Sequence, residues 1–162
     1  MIVMEECLLH DQAGMEQALR RYFEDVKTQC PGTLNAMLDA RLLSVDFERH
    51  ILVLEADMKP WMTNPNGIVH GGITAAYLDL VMGLLCRYCS GGRMTPTLHM
   101  DVSYLRTISA RDTLCVKAEI AKLGSTICTA VGSIYTRERP DRLLATATGS
   151  YIVQSGRRSP IS

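Results

Sequence analysis

Residues 64 to 79 read Asn-Pro-Asn-Gly-Ile-Val-His-Gly-Gly-Ile-Thr-Ala-Ala-Tyr-Leu-Asp, and they concentrate the residue types that could do chemistry in this chain. Turn formers from Asn64 to Gly67 lead to His70-Gly71-Gly72, and the apolar segment that follows carries a single carboxylate, Asp79. A helix that opens on glycine presents unpaired N–H groups and a partial positive charge, which suit an oxyanion. Asp79 among Leu, Val and Met would cost several kcal/mol as an unpaired buried charge, so it reads as a general base or nucleophile, or as a hydrogen-bonded Asp at a helix edge. Oxyanion donors plus a carboxylate point to acyl transfer.

The spacing constrains that reading. Asp79 lies eight residues beyond Gly71, about 12 Å up a helix axis. A carbonyl bound at the helix start is out of reach of Asp79 in the same chain. One reaction using both groups therefore requires a dimer with antiparallel helices and two equivalent sites under two-fold symmetry.

Other residues near this segment have two readings each. Gly71 and Gly72 permit either close helix–sheet packing or the approach of a carbonyl to the backbone. Asn64 belongs to a turn, where Asn is common, or its amide holds a carbonyl oxygen or a water. His70 serves loop geometry or acid–base work. Thr97 suits a strand or holds a water with its hydroxyl, and Trp61 lines a pocket or fills the core. There is no Gly-x-Ser-x-Gly elbow, no phosphate-cradling glycine loop, and no metal spacing among His10, His50, His70 and His99. Cys86-Arg87-Tyr88-Cys89 occurs once, without a second pair, and reads as structural. No metal and no cofactor are expected.

The elements that must position these residues follow from periodicity. Residues 11 to 29 predict an amphipathic helix with Met15, Leu19, Tyr22, Phe23 and Val26 on one face, ended by Pro31-Gly32. Residues 41 to 47 and 50 to 56 predict a hairpin, followed by a loop from Asp57 to Val69. Gly71 to about Cys89 predicts a helix with no polar face, wrapped by protein, and Ser90-Gly91-Gly92 ends it. Four strands follow: Thr97 to Leu105 with Leu98, Met100, Val102 and Tyr104 on the apolar side, Thr113 to Leu123, a strand to about Thr136, and Leu143 to Val153. One buried helix followed by antiparallel strands is an α+β architecture, a sheet curled around that helix. The boundaries expected are an N-terminal helical extension over 1–40, a main domain over 41–153 and a polar tail over 154–162.

At 162 residues the chain is long enough for one substantial core. Seventeen basic residues balance seventeen acidic ones, so no net field draws it to nucleic acid or to an anionic membrane. The acidic start, Met1 to Glu6, lacks the pattern of a signal peptide, and the greasy run Leu78 to Cys86 is too short to span a bilayer. A cytoplasmic location is expected, with the six cysteines reduced.

Asn64-x-x-Gly67-x-x-His70-Gly71-Gly72 with Asp79 following resembles the hotdog-fold acyl-CoA thioesterases of the phenylacetate-pathway type. Thr97 to Leu105 looks like that family's strand after the helix, and Leu144 to Tyr151 looks like its last strand, so the likeness spans roughly residues 41 to 153. The resemblance implies a hotdog fold and a homodimer or dimer of dimers with active sites at the subunit interface. It implies that the Gly71 N–H polarises the thioester carbonyl of an aryl-acyl or medium-chain acyl-CoA, with Asn64 fixing the carbonyl or the water. Asp79 of the neighbouring chain then acts as base or nucleophile, and Thr97 assists with the water. His70, Gly72 and Trp61 are candidate substrate contacts, and Arg93, Arg106 and Arg111 are candidates for the coenzyme phosphates. The alternatives are a non-catalytic acyl-CoA sensor and a hotdog hydratase or dehydratase.

Overall fold

The structure, a computed structural model, describes residues 11–155. The acidic start, Cys7, His10 and the tail beyond Ser155 lie outside the described residues. The first helix, α1 (Gln12–Gln29), starts at Asp11, whose carboxylate accepts the Gly14 N–H at 2.7 Å. A short helix, α2 (Leu34–Leu38), leads into the hairpin β1 (Arg41–Asp46) and β2 (Ile51–Asp57). A 3₁₀ turn (Pro60–Met62) precedes the central helix α3 (Gly71–Cys89), and the strands β3 (Thr97–Tyr104), β4 (Thr113–Leu123), β5 (Ile127–Thr136) and β6 (Ala145–Ile152) complete the chain.

The six strands form one sheet in the order β1-β2-β4-β5-β6-β3, antiparallel throughout. With α3 across its inner face, this is the α+β hotdog arrangement expected. Leu52, Leu54, Val116, Ala118, Ala130, Ile134 and Ala145 alternate inward along the strands and are buried against α3. Two glycines let the helix come close. A Cβ on Gly132 would lie 3.0 Å from Leu78 Cδ2, and one on Gly149 would lie 3.1 Å from Met82 Cε. The end of α3 is closed by Gly91 and Gly92, both at left-handed φ (71° and 77°), whose N–H groups return to Tyr88 and Arg87 carbonyls.

Three expectations change against the structure. Although α3 contains the short greasy run, the helix itself is 19 residues and reaches spanning length, while ten of its residues are buried. It is also not wrapped on every side: Ala76, Asp79, Gly83 and Arg87 form a half-exposed stripe at helical spacing. On β3 only Met100 and Val102 pack against the core, while Leu98 and Tyr104 are 54% and 56% exposed. The reason is position: β3 is the last strand of the sheet, and its pairing with β6 shifts register between Thr97 and His99.

The N-terminal helix belongs to the same core as the strands. Its Met15, Leu19, Tyr22, Phe23 and Val26 are buried in one cluster with α3 and the sheet. Gln12 clips it to β1, donating to the Val45 carbonyl at 3.0 Å and accepting the Phe47 N–H at 2.9 Å. Asp39 adds ion pairs to Lys27 at 2.6 Å and Lys59 at 2.8 Å, and those bonds hold its carboxyl below the usual range. Their contribution is present above the unfolded-state pKa and is lost as pH falls through the folded one; being half exposed, it is small.

If α1 shares the core, Leu19→Ala should destabilise the whole molecule by about 2–5 kcal/mol in a single urea transition. A loss under about 0.5 kcal/mol would show that α1 folds apart from the sheet.

Candidate active site

The loop before α3 folds back on itself. Thr63 bridges Val69, the Asn64 N–H donates to the Ile68 carbonyl at 2.8 Å, and the His70 N–H donates to the Met62 carbonyl at 2.8 Å. The Asn64 side-chain oxygen accepts the N–H groups of Asn66 (2.9 Å) and Ile68 (3.2 Å), an Asx turn that closes through Gly67 at φ 72°. Its NH₂ group has no partner among the described residues. His70 caps α3: Nδ1 accepts the Gly72 N–H at 2.9 Å, and its carbonyl accepts those of Ile73 (2.9 Å) and Thr74 (3.2 Å). Of the helix's first four N–H groups, only that of Gly71 has no acceptor among the described residues. Beside it lies a cavity of about 370 Å³ lined by Gly71, Thr74, Tyr104 and Arg106. The Tyr104 hydroxyl donates to the Gly71 carbonyl at 3.1 Å and holds the ring over the helix start.

Asp79 lies in another cavity, of about 230 Å³. Its Oδ1 accepts two hydrogen bonds, from the Thr97 hydroxyl at 2.8 Å and from the Tyr151 phenol at 3.1 Å. Oδ2 accepts none from the described residues. Tyr151 is fully buried, and its ring is seated between two glycines: a Cβ on Gly83 would lie 3.2 Å from Cε1, and one on Gly149 2.9 Å from Cε2. Burial, and then the Asp79 charge, push the phenol far above its ordinary pKa, so it remains a donor. One carboxylate oxygen is anchored and the other is free, which is what proton abstraction or nucleophilic attack requires.

The residues singled out from sequence thus fall into two groups. His70, Gly71 and Gly72 form the helix start, Asn64 sits in the turn that leads to it, and Thr97 joins Asp79. The two cavities share no residue. Trp61 is 46% exposed and lines neither, because the 3₁₀ turn buries Met62 instead. Arg93 lies beyond the far end of α3, where its Nε donates to the Ser90 carbonyl at 2.8 Å. Arg106 lines the helix-start cavity and donates to the Leu143 carbonyl at 2.6 Å, whereas Arg111 is exposed and lines neither cavity. Sequence reasoning missed Tyr151 as the second donor to Asp79. Its signal was present: Ala145, Ala147 and Gly149 alternate on the inner face and leave room for one large ring at 151. Arg139 and Arg142, which sequence reasoning did not single out, line a cavity that shares Thr107 with the helix-start cavity.

Residues 66–142 match the family model of the thioesterase superfamily. Acyl-coenzyme A thioesterase 13 of Mus musculus is 28% identical over 117 residues, 71% of this chain and 80% of that one. The phenylacetic acid degradation-related protein of Ralstonia eutropha JMP134 superposes with a TM-score of 0.69 at 28% identity, over 82% of this chain and 99% of that one. Over residues 66–142 the chain is similar to the thioesterase superfamily, and its fold is that of the thioesterase structures it superposes on. Among its structural relatives is a hypothetical thioesterase protein of Streptococcus pneumoniae TIGR4, solved with coenzyme A, at 26% identity and a TM-score of 0.64 over 74% of this chain and 88% of that one.

In a site built this way, Tyr151→Phe keeps the ring in its seat and removes one donor to the carboxylate. A hydrogen bond to a charged group is worth about 1.5–3 kcal/mol, so thioester hydrolysis should fall about tenfold to a hundredfold with the fold intact by circular dichroism. Unaltered turnover would show that the phenol does not position Asp79.

Proposed function

We propose that this protein is an acyl-CoA thioesterase, hydrolysing an aryl-acyl or medium-chain acyl-CoA to the free acid and coenzyme A. The observation that carries the reading is the pair of complementary half-sites: an unspent Gly71 N–H at a helix start and an Asp79 carboxylate with one oxygen free. The thioester carbonyl rests against Gly71 N–H, helped by the Asn64 amide, and the donors stabilise the negative charge that develops on its oxygen. Asp79 removes a proton from the attacking water, or attacks the carbonyl itself, while Thr97 holds the carboxylate. On the first route the leaving thiolate takes up that proton as coenzyme A departs. On the second the thiolate leaves a mixed anhydride on Asp79, and water hydrolyses it to the free acid, restoring the carboxylate and supplying the proton for the thiolate. Arg106, with Arg139 and Arg142, supplies cationic groups for the coenzyme phosphates.

The half-sites lie about 12 Å apart on one helix, so the proposal includes a homodimer with antiparallel α3 helices. The exposed edge of β3, with Leu98 and Tyr104 uncovered, supports pairing there. Ile127, Val131 and Ile152, exposed on the outer face of the sheet, support a further contact in a dimer of dimers. The five described cysteines are all unbridged, which suits a cytosolic location.

Thiol release from a panel of acyl-CoA substrates tests the activity, with Asp79→Asn expected to lose at least a factor of about a hundred. Tight acyl-CoA binding without hydrolysis across the panel would favour the sensor. The shared site has its own test. Proline is tolerated at a first helical position, and His70 already has an extended backbone (φ −63°, ψ 138°) compatible with a following proline, so Gly71→Pro should fold while losing the N–H. Each variant alone should be inactive, and co-refolded mixtures should recover roughly a quarter of wild-type activity, one restored site in half of the dimers. No recovery, with heterodimers demonstrated by mass spectrometry, would sink the shared site.

A further inference from the structure

No strand lies beyond β3 among the described residues, so one of its edges is unpaired within the chain. Met100, Val102 and Tyr104 stand opposite Gly149, Ala147 and Ala145 of β6 and share the inner face of the sheet. His99, Asp101 and Ser103 stand opposite Ser150, Thr148 and Thr146 on the outer face. His99 and Asp101 are exposed and have no side-chain partner among the described residues.

The shared site limits where a second β3 can lie. At the start of β3 Thr97 holds Asp79, and at its end Tyr104 lies over Gly71. Bringing Asp79 to the partner's Gly71 sets the start of one β3 beside the end of the other, with the two-fold axis near the middle of the strand. An axis normal to the sheet pairs residues of the same face, so it passes through a residue that meets its own copy, here Met100 or Asp101. An axis at Asp101 sets that carboxylate against itself, which is destabilising. An axis at Met100 sets His99 against the partner's Asp101, twice, on the outer face, and brings Leu98, 54% exposed, beside the partner's Val102.

Extending the shared-site reading above, on which this inference rests, we propose that a second copy joins edge to edge along β3 with Met100 on the two-fold axis and His99 bonded to the partner's Asp101. A ring N–H of His99 donates and the carboxylate accepts. The two sheets become one, and the pair of outer-face contacts sets the register. A slip to an axis at Asp101 moves one strand along the other by two residues, about 7 Å, and displaces each Asp79 relative to the partner's Gly71 by the same distance. His99 and Asp101 are thus positioning residues that touch no substrate.

Charge exchange tests the pairing. His99→Asp alone sets two carboxylates against each other at both contacts, and Asp101→Lys alone sets a cation against His99. Each should raise the dimer dissociation constant by about tenfold or more in analytical ultracentrifugation. A mixture of the two variants should form heterodimers that dissociate like wild type, because the introduced charges then face each other across the two chains. Neither chain is compensated within itself, so recovery reports a contact between chains. Thioester hydrolysis should fall with dimer content in the single variants and return in the mixture. Wild-type dissociation of both single variants, or no recovery on mixing, overturns the pairing.

The register is read by cross-linking. A disulfide needs Cα atoms about 4.4–6.8 Å apart, so under a mild thiol oxidant Met100→Cys should link to its own copy faster than Asp101→Cys, each compared with wild type. The reverse order, or linkage of neither, overturns the axis at Met100. Mass and cross-linking use no substrate, so absent hydrolysis would sink the thioesterase and leave the interface to be judged by these two readouts.

Discussion

The whole molecule depends on one packing constraint: a long apolar helix must be taken out of water by a single curled sheet. The inner faces of β4, β5 and β6 meet that demand with small residues where the helix comes closest, Gly132 under Leu78 and Gly149 under Met82. Close approach brings dispersion contacts as well as removal of apolar surface, and a methyl group at either glycine would force a shift in the helix or the ring beside it. Gly149 also forms one side of the seat for Tyr151, with Gly83 of the helix on the other. The phenol that reaches Asp79 is thus a product of core packing, and the site and the core are built from the same residues.

The rigidity of α3 then sets the geometry of the chemistry. Its N-terminus carries the unspent Gly71 N–H, and two turns later Asp79 is held by Thr97 and Tyr151. A straight helix cannot bring its own two ends of this interval together, so each chain carries complementary halves of different sites. The half-exposed stripe of Ala76, Asp79 and Gly83 leaves the carboxylate accessible from outside the chain. The uncovered edge of β3 offers backbone groups for pairing alongside it.

The N-terminal extension has a physical reason to be present. It covers the apolar groove between β1 and α3 with five large side chains and occupies the otherwise open β1 edge through Gln12. Its cost is the ordering of about thirty residues, offset by the burial of Met15, Leu19, Tyr22, Phe23 and Val26. It also closes the far end of the Asp79 cavity, so stability and pocket shape come from the same segment.

Much of this was legible from residue order. The amphipathic period of α1, the glycine-bounded span of α3 and the strand positions follow from local periodicity and turn chemistry, which act over a few residues and need no tertiary information. The eight-residue interval from Gly71 to Asp79 likewise implied separate half-sites, because helical rise is the same in every context. Tertiary structure decided the rest. That Leu98 and Tyr104 stay uncovered follows from β3 lying at the sheet edge, which alternation along one strand cannot reveal. That Trp61 faces solvent while Met62 is buried follows from the turn conformation. Tyr151, seventy-two residues from Asp79, and Tyr22, on a helix that reads simply as core, join the pocket through strand order and helix packing. Local pattern determined which elements form and what chemistry they carry; only the long-range packing of α3 against the sheet decided which side chains that chemistry would have as neighbours.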